Sequence, residues 1–166
     1  MKTIEIIGKN YFGSWDKERT ACRAIVLQDD RLLLSYETVT GQWMLPGGGL
    51  EDGETEADCC VRETGEETGL LIRPSACLLQ IEEYYENWRY INRYFTGRII
   101  GNTAIRLTAR EREAGMEPRW LPVSEILEIF SRHSDFENTD EMRRGMYLRE
   151  YTALCEIIRQ QASARH

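Results

Sequence analysis

The sequence has few of the residues that build structural metal sites and disulfide frameworks. It contains two histidines and five cysteines, and no two cysteines form a CxxC pair. A structural zinc site is therefore not expected, because such sites use closely spaced cysteine and histidine ligands. We interpret the cysteines as buried reduced thiols, at positions Cys22, Cys59, Cys60, Cys77 and Cys155. The histidines, His133 and His166, are assigned to a loop and to the C-terminal tail.

Long apolar runs and clusters of basic residues are also missing. No stretch is long enough to cross a bilayer, and the first residues, MKTIEIIGKN, lack the cleavage pattern of a signal peptide. We therefore expect a cytoplasmic protein. The net charge of -7 disfavours broad attraction to nucleic acid or to a membrane surface. A small phosphorylated substrate remains compatible, because a few arginines or bound cations can meet its charge locally.

Internal repeats, low-complexity tracts and linkers are absent from the 166 residues. A hydrophobic fraction of 42% indicates a folded chain rather than a disordered one. We expect a single domain over residues 1–166. Its N-terminal part, residues 1–18, is expected to be a strand or an extension, and residues 140–162 a C-terminal helix.

Alternation of apolar and polar residues predicts several strands. Residues 21–27 and 31–37 are predicted to form a hairpin around Asp29 and Asp30, and residues 78–85 and 89–100 a second hairpin. Shorter strands are predicted at residues 43–46 and 119–123. Ser124 is expected to cap a helix that reaches Phe130, and the final helix, residues 140–161, is expected to bury one stripe. The stripe consists of Tyr147, Leu148, Tyr151, Leu154, Cys155 and Ile158. Strands interleaved with helices predict an α/β or α+β layered domain.

A helix is predicted from Glu56 to Thr68. Thr55 precedes Asp58 by three residues, as in a capping box, and Gly69 suits the left-handed position that ends a helix. Helical phase separates two faces. The core-facing stripe contains Ala57, Cys60, Val61, Thr64 and Thr68, and the adjoining arc contains Glu56, Cys59, Glu63, Glu66 and Glu67.

The acidic arc has two interpretations. Acidic helix faces are usually solvated surface, and three glutamates alone do not establish a site. Here a glycine loop precedes the helix, and Glu54 and Arg62 lie beside the cluster. Carboxylates held on a rigid helix suit Mg²⁺ or Mn²⁺, which bind carboxylate and phosphate oxygens together.

Residues 48–70, GGLEDGETEADCCVRETGEETGL, resemble the Nudix box. Eight positions fit that pattern in register, and only Thr64 departs from it, in a slot that the family fills with an aliphatic residue. The matching positions are Gly48, Glu54, Arg62, Glu63, Glu66, Glu67, Gly69 and Leu70. The resemblance implies an α/β/α sandwich with a mixed β-sheet, in which the box forms a loop, a helix and a second loop. It also implies hydrolysis of a nucleoside diphosphate linked to another moiety, with Mg²⁺ or Mn²⁺ and water.

The resemblance also implies roles for individual residues. Glu66 and Glu67 would be metal ligands, and Glu63 a ligand or the general base. Glu54 and Arg62 would support them, although a simple ion pair explains these two residues equally well. Two further implications concern the surrounding loops. Gly47 and Gly48 would let the backbone approach metal or phosphate. A late loop would supply an additional metal ligand, for which the candidates are Glu111, Glu113 and Glu117, and we expect Glu113.

The substrate is less well defined by the sequence. Arg23 and Tyr85 are candidate substrate-binding residues, although strand packing would also explain them. Three function classes stay open: a metal-dependent pyrophosphohydrolase, a nucleotide sensor without turnover, and an interaction module with an acidic face. We expect a small nucleotide partner and no membrane or nucleic-acid partner. A homodimer, with an exchange of the N-terminal segment, is a further hypothesis.

Overall fold

The computed structural model describes residues 1–163 of the chain. His166, which we expected in the tail, lies outside this range. Ten strands are present: β1 Lys2–Ile7, β2 Lys17–Ile25, β3 Leu27–Gln28, β4 Arg31–Glu37, β5 Gln42–Met44, β6 Gly47–Gly49, β7 Leu70–Pro74, β8 Leu79–Tyr84, β9 Trp88–Asn102 and β10 Met116–Pro122. The helices are α1 Glu56–Thr68, α2 Ala109–Glu113, α3 Val123–Ser131 and α4 Glu141–Ser163, with a 3₁₀ turn at Arg132–Phe136.

The strands form two sheets. The larger one is mixed, with the order β1-β8-β9-β2-β6, and β7 pairs with the far part of β9. The smaller sheet has the order β10-β4-β3, and β5 also pairs with β4. One apolar core includes residues of α3 and α4, and another lies beneath α1. The expected mixed α/β fold with sheets between helices is confirmed. No helix within residues 1–163 combines the length and apolarity that a membrane span requires.

Helix α1 has the bounds that its terminal residues predict. The Thr55 hydroxyl accepts a hydrogen bond from the Asp58 N–H at 3.1 Å, which satisfies one free donor at the helix start. Gly69 ends the helix with a φ of 73°, and its N–H donates to the carbonyl of Gly65. The predicted core stripe is correct in part: Cys60, Thr64 and Thr68 are buried, but Ala57 and Val61 are only partly buried. Cys59 and Glu67, predicted on the adjoining arc, are buried as well, because β6 packs against that side of the helix. Local signals are therefore sufficient to fix this helix.

The first predicted hairpin is wrong in its pairing. Strand β2 stays in the larger sheet, where it pairs in parallel with β9, and only Leu27 and Gln28 turn back onto β4. The turn itself is where the sequence places it, with Asp29 at a φ of 56°. Pairing with β9 depends on residues more than 60 positions away, so the local alternation pattern could not reveal it. The second predicted hairpin, β8 with β9, is confirmed.

The helices after β10 differ in detail from expectation. Pro122 rather than Ser124 is the N-cap of α3, and no side chain caps that terminus. In α4 Tyr147 and Leu154 are buried as predicted, but Cys155 and Ile158 are exposed. The buried face also includes Ala153, Ile157, Arg149 and Glu150. The two charged residues join a buried ion-pair network, which rotates the helix away from the phase that apolar residues alone predict.

All five cysteines are free thiols. Cys22, Cys59 and Cys60 are buried as expected, whereas Cys77 is partly buried and Cys155 is exposed. Burial raises the pKa of the Cys60 thiol to about 12. A thiol with such a pKa is protonated at neutral pH, so it contributes packing rather than a nucleophile.

Candidate active site

A cavity of about 770 Å³ lies against the larger sheet, α1, α2 and α4. Its volume is in the range of small-molecule sites. Eight residues selected from the sequence line it: Arg23, Gly47, Gly48, Arg62, Glu63, Glu66, Glu67 and Tyr85. Two others, Glu54 and Glu113, do not.

Glu67 is the most deeply buried of the three box glutamates, with 5% of its surface exposed. Its Oε2 accepts a hydrogen bond from the Ser35 hydroxyl at 2.5 Å and another from the Gly47 N–H at 3.3 Å. Burial, together with the charge of the neighbouring Glu63, raises the pKa of its carboxyl to about 8. The Ser35 and Gly47 hydrogen bonds and the charge of Arg23 oppose that rise. This carboxylate is therefore held rigidly in a place where a nearby cation would stabilise its charge.

Arg62 gathers the carboxylates around α1. Its Nε and Nη2 donate to the two oxygens of Glu54 at 2.7 and 3.0 Å, a bidentate pairing. Its Nη1 donates to Glu63 at 2.7 Å and to Glu66 at 3.3 Å, and Nη2 also donates to the carbonyl of Gly49. The Arg62 hydrogen bond lowers the pKa of the Glu54 carboxyl. Glu54 thus acts on the site through Arg62, from outside the cavity.

Glu63 lies directly against the glycine strand β6. A Cβ atom on Gly48 would collide with the Glu63 carboxylate, so only glycine lets the strand and the acid approach this closely. Burial raises the pKa of the Glu63 carboxyl, and the hydrogen bond from Arg62 opposes the rise. Its Oε1 is bonded to Arg62, and no hydrogen bond within residues 1–163 engages its Oε2. One oxygen of Glu63 is therefore free to bind or to accept a proton.

The three box glutamates are near one another without converging on one point. Within the part of the chain that the structure describes, no three acidic, thiol or imidazole side chains already form a metal-binding group. The donor set nevertheless fits a divalent cation. Glu63 and Glu66 both approach one guanidinium nitrogen, and Glu67 is a buried carboxylate with no ion pair of its own. Hard oxygen ligands of this kind suit Mg²⁺, which keeps several waters and binds through a few carboxylates.

The late loop places a different acid at the cavity from the one expected. Glu113 is exposed and does not line the cavity, whereas Glu111 does. The Thr108 hydroxyl and the Glu111 carboxylate form a capping box that starts α2. The Arg106 N–H donates to the carbonyl of Glu66 at 2.8 Å, which ties this loop to α1. Of the late-loop candidates, Glu111 therefore borders the cavity, whereas position 113 on the same short helix is exposed to solvent.

Arg23 is held in place by two buried partners, Asn92 of β9 and Glu150 of α4. Its Nε donates to Asn92 at 3.1 Å and lies 3.6 Å from a Glu150 oxygen. Its Nη1 lies 3.5 Å from the carbonyl oxygen of Leu45. These contacts hold the arginine in the cavity wall close enough for its charge to act on Glu67.

Tyr85 is held by a second part of the same network. Its hydroxyl donates to Glu83 at 2.9 Å, and Glu83 accepts from Arg149 at 3.2 Å. Burial raises the pKa of the Tyr85 hydroxyl, and the Glu83 charge adds to the rise. Tyr85 is therefore a neutral, fixed aromatic wall, and helix α4 reaches the cavity through Arg149.

Several cavity residues were not selected from the sequence. Met146 and Arg149 come from α4, and Arg19 comes from the exposed start of β2. A sequence signal existed only for α4, where adjacent charges at 149 and 150 interrupt the apolar stripe. Arg19 has no local signal, because the sequence around it reads as an ordinary polar strand end.

Thr64 occupies the box position where an aliphatic side chain is usual. It is buried on the core side of α1, and its hydroxyl has no hydrogen-bond partner within residues 1–163. The hydroxyl opposes the rise in the pKa of the Cys60 thiol one turn earlier in the helix. The side chain therefore contributes packing behind the carboxylates, and its hydroxyl is buried without full compensation.

Replacing Thr64 by valine should stabilise the chain and leave hydrolysis unchanged. Removing a buried, unsatisfied hydroxyl is expected to raise the free energy of unfolding by about 1 kcal/mol. Urea unfolding at constant metal concentration measures the change. Thr68→Val is the matched control, because the Thr68 hydroxyl donates to the carbonyl of Thr64 at 2.6 Å and its loss should destabilise. A severe loss of hydrolysis in Thr64→Val would show that the hydroxyl takes part in the reaction.

A comparison with protein-family profiles assigns the chain to a family. The profile of the NUDIX domain matches residues 17–142, which include the whole acidic helix and the glycine strand. The chain belongs to the Nudix family. The match ends within the first turn of α4, so most of that helix lies beyond the part of the chain that the family profile describes.

Individual Nudix relatives agree with this assignment. The human 8-oxo-dGDP phosphatase NUDT18 is 35% identical over 100 residues, which are 57% of this chain and 29% of that protein. The uncharacterized Nudix hydrolase YvcI of Bacillus subtilis is 26% identical over 147 residues, 85% of this chain and 92% of that protein. The chain thus spans less than a third of NUDT18 but nearly all of YvcI.

A solved structure shares the fold. The NUDIX hydrolase from Nitrosomonas europaea has a TM-score of 0.57 and 26% identity, and the match covers 66% of this chain and 76% of that one. The family profile and the shared fold thus place the chain in the same family.

Proposed function

We propose that this chain is a Mg²⁺-dependent pyrophosphohydrolase that cleaves a phosphoanhydride bond in a nucleoside diphosphate linked to another moiety. Mn²⁺ is the alternative metal. The observation that carries the proposal is the cavity in which Glu63, Glu66 and Glu67 lie together, with Arg62 holding two of them. We further propose that residues 1–166 act as one domain.

The metal would be held by Glu66 and Glu67, with Glu111 as a further candidate from the late loop, and Glu63 would serve as the general base. When bound, it would neutralise phosphate charge and lower the pKa of an attacking water. The fixed position of Glu67, which Ser35 and Gly47 enforce, leaves little freedom for it to move during a reaction.

Glu63 is the residue best placed to receive the proton of the attacking water. Its free Oε2 lies at the glycine strand, on the side where a phosphate would meet the backbone of Gly47 and Gly48. Glu67 is more constrained, because it is buried and bonded to Ser35 and Gly47, whereas Glu66 is more exposed than Glu63 and farther from the glycine strand's contact with that residue. Arg23 would bind phosphate or the leaving group, and Tyr85 would form the wall at one end of the cavity.

A screen of diphosphate substrates tests the proposal. The panel contains ADP-ribose, dinucleotides, nucleotide sugars, nucleoside triphosphates and 8-oxo-dGDP, the last because the name of NUDT18 specifies it. We expect turnover of at least one member with Mg²⁺ and none with EDTA. Binding of Mg²⁺ without turnover of any member would instead support a nucleotide sensor with this fold.

A further inference from the structure

The floor of the cavity is one face of the larger sheet, where strand register arranges side chains in rows. In one row Glu83 of β8 pairs with Tyr90 of β9, and Tyr90 pairs with Arg19 of β2. In the neighbouring row Asn92 and Gly49 lie on either side of β2. All five residues line the cavity. The rows therefore lead from the glycine strand beside the carboxylates to the aromatic hairpin of β8 and β9.

Arg19 differs from the other arginines of this cavity. Within residues 1–163 it has no carboxylate oxygen within the 4.0 Å limit of an ion pair, whereas the remaining four have such partners. These four are Arg23, Arg62, Arg110 and Arg149. An arginine whose charge is not met by the protein is available to an anionic ligand.

The position of Arg19 depends on a glycine. A Cβ atom on Gly49 would lie 2.9 Å from Nη2 and 3.1 Å from Nε of Arg19, closer than ordinary contact allows. The guanidinium group therefore lies over the bare backbone of Gly49, next to the strand position that faces Glu63. The carbonyl of the same glycine accepts a hydrogen bond from Arg62. Gly49 therefore lies between Arg19, which has no ion-pair partner within residues 1–163, and Arg62, which binds the carboxylates.

An aromatic wall adjoins Arg19 on its other side. Trp88 and Tyr90 are two positions apart in β9, so both side chains lie on the face of the sheet that borders the cavity. Their ring centroids are 5.2 Å apart and their planes are 8° from parallel. Tyr85 meets Tyr90 edge to face, with centroids 6.0 Å apart. Met142 and Met146 of α4 line the same cavity. Flat aromatic rings and adaptable methionine side chains are the surfaces on which nucleobases stack.

We propose that the part of the substrate that is not attacked binds to Arg19, Trp88 and Tyr90. Arg19 binds a phosphate, and Trp88 with Tyr90 binds the aromatic base of the same nucleotide. This inference rests on the proposed function and assigns the residues that bind the nucleotide part of its substrate. Met146, which lines the same cavity, lies beyond the region matched by the family profile.

Binding measured without metal distinguishes the proposed phosphate contact of Arg19 from the proposed base contact of Trp88 and Tyr90. Isothermal titration calorimetry in EDTA measures the binding of ADP and GDP, of inorganic pyrophosphate, and of adenosine and guanosine. Arg19→Gln should weaken nucleotide and pyrophosphate binding about tenfold and leave nucleoside binding unchanged. Trp88→Leu and Tyr90→Leu should weaken nucleotide and nucleoside binding about tenfold and leave pyrophosphate binding unchanged.

Two variants outside the cavity serve as controls. Arg98→Gln removes an exposed arginine of β9, and Trp15→Leu removes a tryptophan that is 40% exposed. Both should bind all probes as the native chain does. Native affinity for nucleotides in Arg19→Gln, or in both aromatic variants, would overturn the inference. It would also be overturned if the native chain bound none of these nucleotides in EDTA yet hydrolysed a nucleoside diphosphate derivative with Mg²⁺, a result that leaves the proposed function standing.

Discussion

Replacing Glu67 by glutamine should lower the rate of hydrolysis by about a thousandfold while the fold persists. The substitution keeps an acceptor oxygen for Ser35 and Gly47, so the local hydrogen bonds can remain. It removes the negative charge that would hold a metal in the transition state. Initial rates at saturating Mg²⁺ measure the loss.

The same variant should be more stable than the native chain when metal is absent. Because the pKa of the buried Glu67 carboxyl is raised to about 8, folding at neutral pH without metal costs the uptake of a proton, which an uncharged amide does not need. We expect the unfolding temperature in EDTA to rise by about 2–4 °C for each kcal/mol gained. Loss of function with a gain of stability is the signature of a site residue rather than a structural one.

Glu113→Gln is the matched control for this prediction. Glu113 is exposed and lies outside the cavity, so its variant should match the native chain in both rate and stability. Hydrolysis near the native rate in Glu67→Gln would refute the role assigned to Glu67. A large loss in Glu113→Gln would restore the acid that the sequence first suggested.

Replacing Arg62 by methionine should damage both activity and stability. Arg62 donates to Glu54, Glu63 and Glu66 at once, and its side chain is 24% exposed. Without it, three neighbouring carboxylates repel one another and one fixed orientation of Glu63 is lost. We expect the rate to fall about a hundredfold and the free energy of unfolding to fall by about 2–3 kcal/mol.

Two further variants separate the causes. Arg62→Lys keeps the charge without the planar fork, so it should recover stability more than activity. Arg132→Met removes a solvent-exposed pair with Glu128 and should change stability by about 0.5 kcal/mol or less. If Arg62→Met hydrolysed substrate at the native rate, the arginine would be a structural ion pair only.

The sequence predicts best those features that neighbouring residues determine. Thr55 and Gly69 bound α1 where expected, because capping depends on groups within a few positions. The spacing of the glutamates places them on one helix, and that helix borders the cavity. Their approach to Gly48 also follows from a short loop. Local chemistry is therefore a sufficient guide to this half of the site.

Features that depend on distant strands could not be predicted in the same way. The partner of β2 is β9, and only that pairing brings Arg19 beside Tyr90. The buried face of α4 follows from Arg149 and Glu150, whose partners Glu83 and Arg23 lie far away in the sequence. A prediction from apolar periodicity places charged residues on the solvent side of a helix. It therefore assigns the wrong buried face to α4, where Arg149 and Glu150 are buried. The substrate half of the cavity is consequently visible only in the fold.

The most direct test of the account is hydrolysis of the best substrate in ¹⁸O-labelled water with Mg²⁺, followed by mass spectrometry of the products. Attack of water on phosphorus predicts one labelled oxygen in a phosphate product of the native chain. It also predicts no product in EDTA and almost none from Glu67→Gln. Label in a fragment without phosphorus, or equal turnover with EDTA, would contradict a metal-dependent attack on phosphorus at this site.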